Sequence, residues 1–202
     1  MSNQNLELLP DYEQRVEVLK VLRFIDPVTE SVVLKGRVAC EINSADELVL
    51  TELILDNVFA SYEPEEVVAL LSVFVFQEKT DVEPQLTPRL EEGLATIFAT
   101  AERVSQVQAE QQLNYNDYAV KLKVGLVEVV YQWAKGLNFD EITDLTDVPE
   151  GTIVRVMTRL DQTCLEVRDA ARVVGDQGLR EKMEEAQARI SRDILAAPSL
   201  YL

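Results

Sequence analysis

The sequence predicts an all-α fold, a bundle of roughly eight helices with little or no strand. Only 7 glycines and 7 prolines occur in 202 residues, which is too few for a turn-rich all-β protein. Apolar residues recur at helical spacing along most of the chain. Helix-breaking residues separate these periodic segments by short intervals, so we expect successive helices to pack as antiparallel neighbours.

The predicted elements follow one another with few long gaps. The segment 31–42 is predicted to be either a short β ribbon or a buried irregular segment. The body of the third helix, 67–76, is almost wholly apolar, so this helix is expected at the centre of the fold. The segment 77–88 is a polar linker with two prolines. Helices are predicted over 10–25, 46–59, 63–76, 88–111, 121–135, 139–145, 151–174 and 179–195.

Prolines and glycines mark several of these helix ends. Pro10, Pro64 and Pro88 are expected in the first turns of helices, where a backbone N–H has no intrahelical partner in any case. Gly136 and Gly175 are expected just after helix C-termini, because glycine adopts the left-handed conformation found there without steric cost.

The composition excludes several kinds of active site. Without histidine the chain cannot form a Ser-His-Asp or Cys-His arrangement. Cys40 and Cys164 lie in apolar contexts and are expected to be buried free thiols, and acidic pairs such as Glu65-Glu66 are expected to be solvated charge. The chain also has no Gly-x-x-x-x-Gly-Lys-Ser/Thr phosphate loop. We therefore expect no catalytic residue, metal site or cofactor in this chain.

The formal net charge of −17 counts against nucleic-acid binding by the whole surface, because phosphates attract lysine and arginine. The segment 151–175 differs, with 4 basic and 3 acidic residues, and leaves room for a local basic stripe. Few cysteines and no signal peptide predict an intracellular, reducing compartment. No apolar run approaches the roughly 20 residues that span a bilayer, so no membrane association is expected.

The predicted helix 151–174 has one polar stripe. Arg155, Arg159, Gln162 and Glu166 follow at i, i+4, i+7 and i+11, which places them along one face. Such a stripe is usually solvated surface, but arginine and glutamine side chains can also contact phosphates and stack under bases. The apolar face is predicted to comprise Ile153, Val156, Met157, Leu160, Cys164, Val167, Ala171 and Val174.

Two other functions agree with the residue pattern. A short helix over 139–145, a turn over 146–150 and the helix that follows form the pattern of a helix-turn-helix DNA-binding module, although the acidic charge disfavours it. The acidic surface and the long apolar-rich helices are also compatible with a protein-interaction scaffold.

Several stretches of this chain resemble one known family, and they occur in that family's order. The most distinctive are Glu150-Gly-Thr-Ile-Val-Arg155 and Arg159-Leu-Asp161. Together with the stretches 9–15, 34–42, 46–52, 127–136, 192–194 and 199–202, they resemble the DSHCT domain, which ends the chain of DExH-box RNA helicases that serve the RNA exosome. The segment 164–176 is more similar to the cytoplasmic superkiller helicase than to its nuclear paralogue.

The resemblance implies that residues 1–202 form a single C-terminal helical domain and that the ATPase lobes lie upstream, outside this chain. The parent would be a cytoplasmic, ATP- and magnesium-dependent 3′-to-5′ RNA helicase that feeds RNA to the cytoplasmic exosome for mRNA decay. Its partners would be single-stranded RNA, the helicase lobes of the same polypeptide, the superkiller complex subunits and the exosome. The chain by itself is therefore expected to have no enzymatic activity.

The resemblance also assigns candidate site residues. In the family one long helix, the ratchet helix, contacts the RNA strand as it leaves the unwinding site, and the match places this helix at 151–174. The family's RNA-contacting positions fall on Arg159 and Gln162, and relatives carry glutamate at the second of them. Arg155 belongs to the shared signature and is a third candidate for RNA contact.

Overall fold

Nine α-helices make up most of the computed structural model, which describes residues 3–111 and 122–192. Within these ranges no β-strand forms, and one isolated antiparallel bridge joins Ile25 to Val32. The prediction of an all-α fold is confirmed. The helices are α1 (Asn3–Val21), α2 (Leu34–Cys40), α3 (Glu47–Leu55), α4 (Pro64–Val75), α5 (Pro88–Glu110), α6 (Val127–Lys135), α7 (Phe139–Thr143), α8 (Glu150–Val174) and α9 (Gln177–Ser191).

Helix α4 lies at the centre of the fold, as its apolar body predicts. Eleven of its twelve residues are buried, and the helix packs against α5, α6, α8 and α9. A helix can be covered on all sides only if neighbours surround it, and an apolar surface on every face makes that burial favourable. The core therefore forms around α4.

The expectation of a β ribbon or an irregular segment over 31–42 is wrong, because helix α2 forms there. The bridge between Ile25 and Val32 is the one trace of β structure in this segment, and the chain becomes helical at Leu34. The β-branched residues of this segment have different roles: Val32 and Val33 precede the helix, whereas Val38 is fully buried on it. Packing of Val38 in the core outweighs the weak strand preference of the local sequence.

Other helix bounds differ from those predicted. Helix α1 begins at Asn3 rather than at Pro10, and it ends at Val21, before the predicted stop at 26–27. Arg23 has a φ of 65°, in the left-handed region, and this conformation breaks the helix. Helix α3 likewise ends earlier than 59, because Asn57 adopts a φ of 58° and a short 3-10 turn follows.

The remaining differences lie near the ends of the described ranges. Helix α6 begins at Val127 rather than at 121, and residue 121 lies outside the described residues. Helix α9 is described from Gln177 to Ser191, so its predicted end at 195 also falls outside them.

The helix-end residues from α4 onward behave as predicted. Pro64 and Pro88 each occupy the first turn of a helix, and Thr87 caps α5 by accepting the Leu90 N–H. Gly136 and Gly175 follow α6 and α8 with φ values of 115° and 79°. A residue with a Cβ would be strained in that conformation, so glycine permits both helices to end sharply.

Cys164 and Cys40 have different environments. Cys164 is fully buried on α8, and burial, the largest effect, raises the pKa of its thiol well above the usual value. Cys40 is exposed at the last residue of α2, so the expectation that both thiols are buried is wrong for it. Both cysteines are free.

The expectation that the acidic pairs are solvated is wrong for Glu66. Its side chain is buried at the start of α4, where Oε1 accepts the Glu63 N–H at 2.9 Å and Oε2 lies 3.0 Å from Arg89 Nε. Burial is the largest single effect and raises its pKa, but the hydrogen bonds from Arg89 and Glu63 together leave the pKa below the ordinary value. Glu66 is thus a structural ion-pair partner.

Helix α8 confirms the predicted apolar face. It packs against α2, α4 and α9, and every residue predicted for that face is buried except Val174, which is half-buried. No helix within 3–111 and 122–192 is both long and apolar enough to cross a bilayer.

Replacing Gly36 by alanine is expected to lower the free energy of unfolding by about 1–3 kcal/mol. The new Cβ would lie 2.3 Å from the carbonyl oxygen of Phe24, a backbone atom that cannot rotate away. Gly151→Ala is the matched control, because no atom lies within 4 Å of its Cβ and alanine favours the helix. Urea unfolding measures both, and an unchanged midpoint for Gly36→Ala would contradict the close approach.

Candidate nucleic-acid interface

The predicted polar stripe on α8 is exposed over its first part. Arg155, Arg159 and Gln162 have exposed side chains, but Glu166 is buried, with 6% of its surface accessible. The stripe therefore comprises three residues rather than four. Each of the three has a different set of contacts, and these contacts decide what each side chain can bind.

Arg155 is partly engaged by its own surroundings. Its Nη2 donates a hydrogen bond to Thr152 Oγ1 at 2.9 Å and lies 3.8 Å from Glu78 Oε1. The side chain is nonetheless 74% exposed, so solvent screens the attraction to Glu78 strongly. Arg155 can exchange these contacts for an external anion at small cost.

Arg159 is exposed, and its guanidinium makes no hydrogen bond or ion pair with any residue that the structure describes. A guanidinium has five N–H donors and no acceptor, and no described residue uses any of these donors. Arg159 thus has the largest unused binding capacity on the stripe.

Two clefts meet at Arg159. The turn-side cleft has a volume of about 260 Å³ and is lined by the turn 43–47, Phe74, Gln77, Leu122 and Arg159. The helix-side cleft has a volume of about 180 Å³ and is lined by 75–78, Thr152, Arg155, Val156 and Arg159. Arg159 therefore separates two concave surfaces that combine apolar and hydrogen-bonding groups.

Glu166 ties α8 to the turn between α2 and α3. Its Oε1 accepts the backbone N–H groups of Asn43 and Ser44 at 2.9 and 2.8 Å and the Ser44 hydroxyl at 2.8 Å. Its Oε2 accepts the side-chain amide of Gln162 at 3.1 Å. One buried carboxylate therefore fixes the wall of the turn-side cleft and orients a residue of the stripe.

The protonation state of Glu166 follows from these contacts. Burial is the largest effect and raises its pKa, but the hydrogen bonds from Asn43, Ser44 and Gln162 together outweigh it, so the pKa lies below the ordinary 4.5. Glu166 is therefore ionised at neutral pH, which suits a group that accepts four hydrogen bonds and donates none.

The positive charge of the interface is local. Asp46 and Glu47 line the turn-side cleft, and Glu78 lines the helix-side cleft. Further along α8, Arg168 and Arg172 pair with Asp169 at 3.1 and 3.6 Å. Arg159 is thus a cation without a partner in 3–111 and 122–192, set in acidic surroundings, which allows a specific contact to a nucleic acid but not broad attraction.

Helical spacing places Arg155, Arg159 and Gln162 on one helix face, and the structure confirms that geometry. The sequence pattern does not reveal the turn 43–47, Gln77 or the role of Glu166. Asn43 and Ser44 lie more than 120 residues before Glu166 in the chain, and no local pattern links them to it. An Asn-Ser pair before the Asp46 cap is the one local signal of a turn there.

Comparison with known proteins shows the family of this chain. A model of the DSHCT (NUC185) domain matches residues 29–197. The chain belongs to the DSHCT family. Over its full length this DSHCT chain is 48% identical to the antiviral helicase SKI2 of Saccharomyces cerevisiae, 47% to the DExH-box ATP-dependent RNA helicase DExH11 of Arabidopsis thaliana and 45% to Superkiller complex protein 2 of Homo sapiens.

The resemblance to superkiller-type helicases that the sequence motifs indicate is therefore confirmed. The DSHCT chain spans 16%, 15% and 16% of the lengths of these three relatives, in the same order. The similarity thus concerns one part of each relative.

Glu166→Gln is expected to lower the free energy of unfolding at neutral pH by about 1–3 kcal/mol, because charge-assisted hydrogen bonds become neutral ones. Since the folded-state pKa of Glu166 lies below 4.5, its contribution is fully present above that pH and is lost as the pH falls through the folded-state pKa. Urea unfolding across this range should show the difference between the two proteins narrowing only in acid. A difference that already narrows between about pH 7 and about pH 5 would contradict the assignment.

Proposed function

We propose that this chain is the RNA-contacting accessory domain, the ratchet domain, of an ATP-dependent 3′-to-5′ RNA helicase that feeds RNA to the cytoplasmic exosome for mRNA decay. The observation that carries the proposal is the exposed Arg159, which has no partner among the described residues and stands between two clefts on α8. Membership of the DSHCT family and the helicase names of the relatives support it.

The geometry of α8 suits a single strand. Arg159 offers donors to phosphates or base edges, and the flanking clefts are large enough to take parts of a nucleotide. Arg155 and Gln162 extend the contact along the same helix face, one turn to either side. In this proposal all three residues bind RNA, and Arg159 contributes most because it gives up no contact with a described residue on binding.

The acidic balance limits how the domain acts. At a net charge of −17, RNA is repelled by most of the surface, so one or two arginine contacts give only weak affinity. In the full-length protein the helicase lobes would hold the RNA, and the domain would meet it at high effective concentration. The domain then contributes to strand movement rather than to capture.

The remaining parts of the proposal concern the whole protein. ATP and magnesium would bind on the helicase lobes, because the residues of this chain do not fit a phosphate loop. The proposed partners are single-stranded RNA, those lobes, the superkiller complex subunits and the exosome, and the proposed compartment is the cytoplasm. The names of the relatives SKI2 and Superkiller complex protein 2 support this placement.

A second candidate function, a protein-interaction scaffold, is favoured by one apolar surface. A cavity of about 420 Å³ lies among α1, α2 and α3; Val32, which is 55% exposed, lines it, and Val28 in the preceding loop is 89% exposed. Clustered exposed apolar residues mark interaction sites. This role would be supported by partner proteins that the parent protein retains in a pull-down and a Val28→Asp/Val32→Asp variant does not.

Arg159→Ala in the full-length protein is expected to reduce RNA unwinding about three- to tenfold while leaving RNA-free ATP hydrolysis unchanged, because the contact is made only to the strand. Arg172→Ala is the matched control, since it removes the same charge from the same helix at a residue paired with Asp169. Strand-displacement and ATPase assays measure the two effects. Unwinding by Arg159→Ala at the rate of the parent protein would refute the proposed contact.

The isolated 202-residue chain is expected to hydrolyse no ATP and to bind single-stranded RNA weakly, with affinity that falls as salt is added. Fluorescence anisotropy with labelled RNA and a phosphate-release assay test both points. Phosphate release above background would overturn the expectation if a mutation in this chain abolished it and a helicase inhibitor did not.

A further inference from the structure

The α4–α5 loop, residues 77–87, has no regular secondary structure and lies mostly on the surface. Thr80 is half-buried within it, and the residues on both sides of Thr80 are exposed. A segment of which so little is buried can leave the surface at a lower cost than a packed helix. Its polar contacts therefore decide how firmly the loop is held.

Two carboxylates from elsewhere in the chain hold the α4–α5 loop in place. Thr80 Oγ1 donates a hydrogen bond to Asp147 Oδ1, and the Asp81 N–H donates to Asp147 Oδ2 at 3.2 Å. The Gln85 N–H donates to Glu128 Oε2 on α6 at 2.7 Å. Asp147 lies in the turn that precedes α8, so its two hydrogen bonds attach the loop to the beginning of that helix.

The contact between Thr80 and Asp147 depends on the hydroxyl hydrogen. The hydrogen bond from Thr80 is the largest effect on Asp147 and, with that from Asp81, lowers the pKa of its carboxyl below the usual value. Asp147 is therefore ionised at neutral pH and can only accept hydrogen bonds. No lysine or arginine in 3–111 and 122–192 forms an ion pair with it. A negative group on Thr80 Oγ1 would remove the donor and face an uncompensated negative charge.

The residues that follow Thr80 suit a protein kinase that selects acidic substrates. Asp81 comes one residue later and Glu83 three residues later, and both are exposed. A kinase with a basic substrate groove recognises such side chains by charge complementarity. Thr163 also has an acid three residues on, Glu166, but Thr163 is fully buried on α8 and out of reach of an enzyme. Thr80 combines the acidic pattern with a surface loop.

We propose that Thr80 is a phosphorylation site for an acidophilic protein kinase, and that phosphorylation releases the α4–α5 loop from the turn that precedes α8. The Thr80 hydroxyl oxygen attacks the γ-phosphorus of ATP held by the kinase, and the bond from that phosphorus to the β–γ bridging oxygen breaks. ADP leaves with the electron pair, and the hydroxyl proton passes to the aspartate base of the kinase.

The modified side chain reverses the sign of the contact. A phosphothreonine carries a charge of about −1.5 to −2 and has no hydroxyl hydrogen to donate. Attraction between Thr80 and Asp147 thus becomes repulsion between two anions. This regulation goes beyond the proposed function and does not depend on RNA contact by α8.

Release of the loop would change the helix-side cleft. Glu78, two residues before Thr80 in the same loop, accepts a hydrogen bond from Thr152 Oγ1 at 3.3 Å and lies 3.8 Å from Arg155. Both partners stand near the beginning of α8, and all three residues line the cleft. Detachment at Thr80 would therefore loosen the wall that Glu78 contributes and give Arg155 more freedom.

The site is tested by treating the full-length protein with a purified acidophilic serine/threonine kinase, ATP and magnesium, and by mapping phosphopeptides with mass spectrometry. We expect phosphate on Thr80, and we expect Glu83→Gln to slow its addition about tenfold because a recognition charge is lost. Glu102→Gln is the matched control, since it removes an equally exposed acid from α5. No phosphate on Thr80, or equal rates for Glu83→Gln and the parent protein, would refute the site.

Thr29 provides an internal control for the acidic pattern. It is an exposed loop threonine followed by Glu30, but the third residue after it is Val32. We expect Thr29 to remain unmodified while Thr80 is phosphorylated. Modification of both threonines at the same rate would overturn the proposed recognition.

Hydrogen exchange of the Asp81 amide measures the release, because this N–H donates to Asp147. We expect the amide to exchange about tenfold faster after phosphorylation of Thr80. Thr80→Val removes the hydroxyl donor without adding charge, so a smaller increase is expected from it. Unchanged or slower exchange after phosphorylation, as when Lys79 binds the phosphate, would overturn the release.

Asp147→Asn tests the repulsion itself. The asparagine has no charge to oppose a phosphate, so phosphorylation of Thr80 should accelerate exchange in this variant much less than in the parent protein. Asp144→Asn is the matched control, an exposed acid at the end of α7. An equal acceleration in Asp147→Asn and the parent would overturn the electrostatic mechanism. Because Thr80 and Asp147 lie outside the core, both variants are expected to fold.

Discussion

The burial of α4 is the constraint on which the rest of the structure depends. Its apolar surface on every side requires neighbours all round, and α5, α6, α8 and α9 supply them. The same helix also positions the interface, because Phe74 and the residues 75–78 at its end line the two clefts beside Arg159. Helix α4 thus contributes both to the hydrophobic core and to the candidate RNA surface.

A buried carboxylate connects helix α8 to a distant part of the chain. An ionised group inside a protein is costly unless hydrogen bonds replace its water, and Glu166 has four of them. Its partners Asn43 and Ser44 belong to the turn before α3. These hydrogen bonds form in one arrangement of the turn against α8. They therefore fix the positions of Arg159 and Gln162 relative to the cleft walls.

Much of the fold could be predicted from the sequence, because its signals are local. Apolar periodicity and the residues Pro64, Pro88, Gly136 and Gly175 located the helices from α4 onward. The segment 31–42 was predicted wrongly, since valines favour strands only weakly and the long-range packing of α2 decided the outcome. Periodicity also placed Glu166 on the exposed stripe, but it cannot show that a turn from elsewhere in the chain covers that part of the face.

Arg159 makes no ion pair with a described residue and lies within an acidic surface, so the proposed contact with RNA would depend on salt in two ways. At low ionic strength the repulsion between RNA and a net charge of −17 extends over about 30 Å, and at physiological salt over about 8 Å. Added salt therefore relieves the long-range repulsion while it weakens the short-range attraction to the guanidinium. The two effects oppose each other, so in the proposed function the affinity for RNA would fall less steeply with added salt than that of a basic RNA-binding protein.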